Sequence, residues 1–329
     1  MPKTSERPSF GTAAQHHSPF FRDMHAALSS VPKRISPKYF YDAQGSALFD
    51  QICALPEYYP TRTEMSILQN HAHDMAQCMG VHADIIEFGA GSLQKIRWLL
   101  KAAALPARYV PIDISGEHLQ TASSQLQTEF KDLLIQPQIS DYTADWILPP
   151  ALQGAGKRVI FFPGSTLGNF SPSQAHHFFQ QCAQHLPGGA LLLGVDLIKA
   201  PELLHAAYND AQDVTAAFNL NLLARANREL GTNFDMTQFA HSAFYNAPLQ
   251  RIEMHLQSLC AQHVQLDGQR FDFAQGETLH TEYSHKFTLT GVQQAASMAG
   301  LQAGPVWTDP LQWFGLLWLN IPSTLETAR

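Results

Sequence analysis

Three short stretches hold the residues best suited to chemistry. Glu87-Phe88-Gly89-Ala90-Gly91 closes the apolar run that begins at Asp84. Glycines at the end of a strand let the backbone approach a nucleotide at the N-terminus of the following helix. Asp113 ends a second run, Tyr109-Val110-Pro111-Ile112-Asp113, where a carboxylate can accept from both hydroxyls of a ribose. Asp141-Tyr142 ends a third, and a carboxylate beside an aromatic ring suits adenine, one bonding the exocyclic amine and the other stacking.

Two cofactor classes use such a site. Dinucleotide binders place a third glycine where this chain has Gln94, which weakens the pyrophosphate reading. S-adenosyl-L-methionine (SAM) carries no phosphate and needs no such glycine. Taken together, the strand-end acids Glu87, Asp113 and Asp141 look like those of a class I SAM-dependent methyltransferase, with a nicotinamide dinucleotide as the lesser alternative.

The pattern around these residues supplies the elements that must hold them. Strands are expected at Asp84–Phe88, Tyr109–Asp113, within Leu134–Tyr142, at Arg158–Phe162 and at Ala190–Leu197. Helices are expected between them at Ser92–Ala104, Gly116–Phe130 and from the Ser171 cap to Leu186. This alternation means right-handed βαβ units in a doubly wound, Rossmann-like α/β sheet. Upstream, helices are expected at Phe20–Ser30, at Ser46–Leu55 and from a capping box at Thr61-Arg62-Thr63-Glu64 to Met79, with Pro37–Asp42 extended. Downstream come helices at Pro201–Asn209 and Val214–Leu230. Strands follow at Phe239–Tyr245, Arg251–Val264 and Arg270–Phe273, then a helix at Thr290–Met298 and a hairpin from Val306–Asp309 and Trp313–Leu319. If that hairpin completes the sheet, a SAM-binding domain takes 62–198 plus 287–329. A second, discontinuous α+β substrate-binding domain then takes 19–61 plus 199–286, with 1–18 poorly ordered.

Composition narrows the function classes. Lys+Arg 21 against Asp+Glu 28 leaves a net charge of −7, so no basic footprint for nucleic acid is present. The longest apolar run, Ala190–Ile198, is interrupted by Asp196, so no membrane span is expected. Cys53, Cys78, Cys182 and Cys260 are far apart and form no CxxC, which suits a reduced, cytoplasmic setting. The sixteen histidines include no HExxH and no Cys/His ligand set, so no metal is expected.

Longer strings are more specific. Phe40-Tyr41-Asp42-Ala43-Gln44-Gly45-Ser46, Leu55-Pro56-Glu57-Tyr58-Tyr59-Pro60-Thr61-Arg62-Thr63-Glu64, and Phe162-Pro163-Gly164-Ser165-Thr166-Leu167-Gly168-Asn169 come first. Val214-Thr215-Ala216-Ala217-Phe218-Asn219, Arg251-Ile252-Glu253-Met254, and Thr281-Glu282-Tyr283-Ser284-His285-Lys286-Phe287 follow in order. Together they resemble the histidine Nα-methyltransferases of ergothioneine biosynthesis over nearly the whole chain after residue 30. The resemblance implies three methyl transfers from SAM to L-histidine, giving hercynine and S-adenosyl-L-homocysteine. It implies SAM contacts at Tyr41, Gly89, Lys95, Asp113, Asp141 and Tyr142. On the substrate side it implies Asn169 and Tyr208 at the amino-acid carboxylate, and Tyr58, Glu282 and Ser284 at the imidazole, with Met254 near the ring. Tyr41 and Asn169 are the expected catalytic residues. Departures from the family pattern are Ala90 in the glycine loop, Tyr142 where Phe is common, and Tyr39 where Trp is common.

The residues agree with that chemistry. Methyl transfer from a sulfonium needs positioning and a nitrogen lone pair, not a metal. Two alternatives stay open from the sequence: Nα-methylation of tryptophan or tyrosine, and a regulator that binds SAM without turnover. A monomer is the favoured assembly.

Overall fold

The computed structural model describes residues 18–143 and 145–323. Most of the N-terminal stretch expected to be poorly ordered therefore lies outside the described residues. Its last member, Ser18, caps helix α1 (Pro19–Ser29) by accepting from the Phe21 N–H at 3.1 Å. Next come β1 (Lys33–Arg34), a 3₁₀ turn at Pro37–Phe40, α2 (Ala43–Ala54), α3 (Tyr59–Met79), β2 (Asp84–Phe88) and α4 (Ile96–Ala102). β3 (Arg108–Asp113), α5 (Gly116–Glu129), β4 (Leu134–Ile135), β5 (Gln138–Ile139), β6 (Arg158–Phe162), α6 (Pro172–His185) and β7 (Ala190–Asp196) follow. Then come α7 (Pro201–Tyr208), α8 (Val214–Leu230), β8 (Phe239–Asn246), β9 (Arg251–Ser258), β10 (Gln262–Leu266), β11 (Gln269–Phe273) and β12 (Thr278–His285). The last elements are α9 (Leu289–Met298), β13 (Gln302–Thr308) and β14 (Phe314–Asn320).

The chain forms two compact units. One takes residues 18–40, Ala216–Ser242 and Met254–Glu282; the other takes Tyr41–Thr215, Ala243–Glu253 and 283–323. Segments 41–61 and 199–215, grouped by sequence with the substrate domain, thus pack with the large sheet. One reason is the Tyr59 hydroxyl, which donates to Asp196 at 2.7 Å.

The larger unit is built on a sheet of order β13-β14-β7-β6-β2-β3-β4, with β5 also pairing β3. From β7 to β4 the pairs are parallel, and the terminal hairpin adds antiparallel strands beside β7, as the sequence pattern implies. Because side chains alternate across a strand, neighbouring residues feed opposite faces. Ile85, Tyr109, Phe161 and Leu192 pack with α3, α4 and α5, while Ile86, Val110, Phe162 and Leu193 pack with α6 and α9. Both faces are covered, so the central strands are apolar throughout. At the amino ends, Asp84 binds Arg108 through two contacts of 2.8 and 2.7 Å and Arg158 at 3.0 Å, tying three adjacent strands.

In the smaller unit the Phe40 ring packs on Phe218 at 4.5 Å, and Phe239 stands edge-on to both Phe234 and Phe273. β10 and β11 form a hairpin whose two loop residues, Asp267 and Gly268, both have positive φ, as a type I′ turn requires.

Four local expectations give way to physical detail. Pro37–Phe40 coils instead of extending, since proline already holds a helix-compatible φ. The third strand breaks into β4 and β5 around Pro137, which has no N–H to donate. The long strand from Arg251 splits into β9 and β10 at 259–261. α3 starts at Tyr59 with Pro60 in its first turn, so Thr61 and Glu64 lie inside the helix and form no capping box.

Candidate active site

β2 lies between β3 and β6, so the strand order reverses there and the carboxyl ends open a crevice. Gly89 leaves β2 at φ +66, and a Cβ on it would sit 3.0 Å from the Tyr142 hydroxyl. Only glycine satisfies both conditions. Asp113 ends β3 with one carboxylate oxygen accepting from the Gly91 N–H at 3.0 Å and the other from the Ser115 N–H at 2.9 Å. Each oxygen has a second lone pair, so the fixed carboxylate can still accept from two hydroxyls. Tyr142 packs its ring on Phe88 and Phe162 at 5.6 and 5.7 Å, and burial holds its hydroxyl well above the usual tyrosine pKa. The Asp141 carboxylate is turned by the Thr143 N–H at 2.9 Å. The Tyr41 carbonyl accepts from the Ser115 hydroxyl at 3.1 Å, and its ring stands edge-on to Phe49.

Lys95 sits just before α4 with its ammonium 2.6 Å from Glu64. Burial works against its charge, but the Glu64 carboxylate outweighs this and raises its pKa. Glu64 also accepts from the Gly164 N–H at 3.0 Å, and a Cβ on Gly194 would fall 2.4 Å from its Oε1. A glycine in β7 therefore makes room for this carboxylate.

Glu87 has a different role from the other strand-end acids. It is buried inside the sheet and accepts from the Tyr109 hydroxyl. Burial pushes its pKa from 4.5 up to about 8, only partly offset by that hydrogen bond. The folded chain thus keeps the proton up to about pH 8, while the unfolded chain releases it near 4.5, so stability falls as pH rises through that window. Glu87→Gln should remove this dependence. Between pH 5.5 and 7.5 the parent should lose about 2–3 kcal/mol relative to the variant, read from urea midpoints. Parallel curves would place an ionised carboxylate in the core.

A second cluster lies at the carboxyl end of β7. Asp196 accepts from Tyr59, from Lys286 at 2.8 Å and from Lys199. Its N–H donates to the Ser165 hydroxyl at 2.9 Å. Lys286 also donates to Ser284 Oγ at 2.8 Å and to the Tyr208 hydroxyl at 3.3 Å, and Tyr208 donates to Ser284 at 2.7 Å. One carboxylate thus faces two ammonium groups. Burial pulls Lys199 down to about 8 despite Asp196. It also opposes the charge on Lys286, but there Asp196 prevails and the pKa stands above the ordinary lysine value.

Tyr58, just before α3, lies edge-on to Phe49 and Tyr208 with centroids 6.3 Å away in each case. Asn169 ends a 3₁₀ turn, Thr166–Asn169, that starts from Ser165 at φ 57. The turn is pressed close: a Cβ on Gly168 would lie 2.9 Å from the His285 carbonyl oxygen. The Asn169 amide is half-buried and hydrogen-bonds to none of the described residues. The larger unit therefore holds Tyr41, Tyr58, Gly89, Lys95, Asp113, Asp141, Tyr142, Asn169, Tyr208 and Ser284. Met254 and Glu282 belong to the smaller unit and are buried, on β9 and β12.

Sequence reasoning missed Glu64, Tyr59, Asp196, Lys199 and Lys286. Two signals were present. Asp196 is the one charge in an otherwise apolar buried strand, and such a charge needs partners. Glu282, Ser284 and Lys286 alternate, which puts polar groups on one face of a strand.

The sheet order, the glycine exit from β2 and the backbone-held carboxylate on β3 define a class I SAM-dependent methyltransferase. Residues 20–321 match the family described as histidine-specific methyltransferase, SAM-dependent. The chain is 42% identical to histidine N-alpha-methyltransferase of Mycolicibacterium smegmatis, covering 90% of this chain and 92% of that one. It is 38% identical to the protein of that name from Mycobacterium tuberculosis, covering 91% and 94%. It is 30% identical to ergothioneine biosynthesis protein 1 of Neurospora crassa over 84% of this chain and 32% of that longer one. The chain belongs to the SAM-dependent histidine-specific methyltransferase family. No helix among the described residues is long and apolar enough to cross a membrane.

Proposed function

We propose that the chain converts L-histidine to Nα,Nα,Nα-trimethylhistidine (hercynine) in three successive transfers, the first step of ergothioneine biosynthesis. The observation that carries this reading is the family match along residues 20–321. SAM supplies an electrophilic methyl group on a sulfonium. The donor set suits it: Asp113 is fixed for two ribose hydroxyls, Tyr142 and Asp141 flank an adenine position, and Gly89 keeps the approach open. Lys95 and Tyr41 complete the cofactor side.

On the substrate side, Asn169 and Tyr208 orient the amino-acid carboxylate, and Tyr58, Glu282 and Ser284 take the imidazole, with Met254 beside it. Positioning does most of the work. The amine must be neutral, and an α-amino group has a pKa of about 8, so a strong general base is unnecessary. As methyl groups accumulate, nitrogen becomes cationic, and the Tyr41 ring face and hydroxyl can stabilise it. By role, 62–198 plus 287–329 form the SAM-binding domain and 19–61 plus 199–286 the substrate-binding domain, with Tyr41 and Asn169 as the exceptions that serve the other ligand. The setting is cytoplasmic, the assembly a monomer, and no metal takes part.

Mass spectrometry after incubation of the twenty amino acids with protein and SAM tests the reading. Gains of one, two and three methyl groups on histidine alone are expected. Gains on tryptophan or tyrosine instead would reassign the substrate.

A further inference from the structure

An amino acid brings a carboxylate into the site, and the two residues assigned to it, Asn169 and Tyr208, are neutral. Taking an anion out of water onto neutral partners is costly unless a positive charge lies close by. Lys286 places one at Tyr208. Its ammonium donates to the Tyr208 hydroxyl oxygen at 3.3 Å, to Ser284 Oγ at 2.8 Å and to Asp196 at 2.8 Å. Asn169, Asp196, Lys199, Tyr208, Ser284 and Lys286 all belong to the larger unit.

The charge on Lys286 is only partly balanced. Asp196 is shared with Lys199, so two buried ammonium groups draw on one carboxylate. Asp309 adds its field at Lys199, but its carboxylate is held by the N–H groups of Leu311, Trp313 and Phe314 at 2.9, 2.7 and 2.9 Å. Burial first, and the Lys286 charge with it, hold Lys199 down to about 8. Asp196 with one lysine would already make a neutral pair. A second buried ammonium is a cost to the fold that an anionic ligand beside Tyr208 removes.

We propose that Lys286 is a positioning residue for the substrate's carboxylate: it supplies the counter-charge and holds the Tyr208 oxygen so that the Tyr208 O–H is presented to the anion. The inference rests on the proposed function, in which Tyr208 meets that carboxylate. A hydroxyl has one donor and two acceptor lone pairs, and the count closes. Without substrate the Tyr208 O–H donates to Ser284 at 2.7 Å. With the carboxylate bound, the Tyr208 O–H turns to it, and the Ser284 O–H turns to the Tyr208 oxygen, whose other lone pair still accepts from Lys286. Ser284 then has one lone pair on Lys286 and one left for the substrate's ring.

The experiment is calorimetric binding of histidine and of histidinol to the full chain with S-adenosyl-L-homocysteine at pH 7.0. Histidinol has the same ring and amine, with an alcohol in place of the carboxylate. Wild type should bind histidine about 100-fold more tightly than histidinol. In Lys286→Met that preference should shrink to about 10-fold or less, the loss falling on histidine. Asp196 keeps Lys199 and Tyr59 in this variant, so the cluster remains paired. A lysine that only supports the fold would weaken both ligands by the same factor and leave the preference intact, which overturns the proposal. So does a wild-type preference below about 5-fold. If Lys286→Met does not fold, Lys286→Gln decides, because its amide can still donate to a hydroxyl but carries no charge. Its preference should also shrink to about 10-fold or less; an undiminished preference overturns the idea. A wild type that binds S-adenosyl-L-homocysteine but neither ligand would instead refute the underlying reading.

Discussion

Asp113→Ala should weaken SAM binding by about 100-fold or more. Hydrogen bonds to a charged acceptor contribute roughly 1.5–3 kcal/mol each, and in the proposed site the carboxylate accepts from two ribose hydroxyls. The substitution also releases the Gly91 and Ser115 N–H groups, which now hold the carboxylate at 3.0 and 2.9 Å. The glycine loop would thus lose its anchor together with the ligand contact. Asp113→Asn keeps one acceptor oxygen and should fall between the two. Calorimetry with SAM measures all three. An Asp113→Ala protein with undiminished affinity would show that the ribose lies elsewhere.

Asp196→Ala should destabilise the fold by about 3–5 kcal/mol near neutral pH, because removing one partner of a buried ion pair leaves charge without compensation. Here two lysines lose their carboxylate, and Tyr59 loses its acceptor. Lys199 already sits at about 8, so without Asp196 it would give up its proton readily. The loss should therefore be larger at pH 6 than at pH 9, where neutral lysines need no counter-charge. Urea unfolding at both pH values checks the size and the direction. A loss under about 1 kcal/mol at pH 6 would mean that water reaches the cluster.

The doubly wound sheet was legible because its signal is local and repeated. Asp84–Phe88 and Arg158–Phe162 are short apolar runs with glycines close behind, and burial on both faces leaves them little freedom to be anything else. The positions of Gly89 and Asp113 at the carboxyl ends of β2 and β3 were legible for a related reason: a strand end is marked by the residues beside it. Glu64 was not. Its place in a capping-box pattern gave a sufficient local explanation, and only the arrival of Lys95 and Gly164 from distant parts of the chain turns it inward. Lys286 was hidden similarly, since its partner Asp196 is 90 residues earlier and no spacing rule connects them. Glu87 shows the opposite error. Its sequence position matched the other strand-end acids, but the pleat points its side chain into the core toward Tyr109.

Gly194 bears on how sequences like this one can drift. A Cβ there would fall 2.4 Å from Glu64 Oε1, so the two positions share one volume across 130 residues of chain. Neither can change size alone. An alanine at 194 calls for a shorter acid at 64, and a shorter acid no longer spans both the Lys95 ammonium and the Gly164 N–H that Glu64 now holds. The two sites form a single heritable unit, and homologues should vary there in concert or not at all.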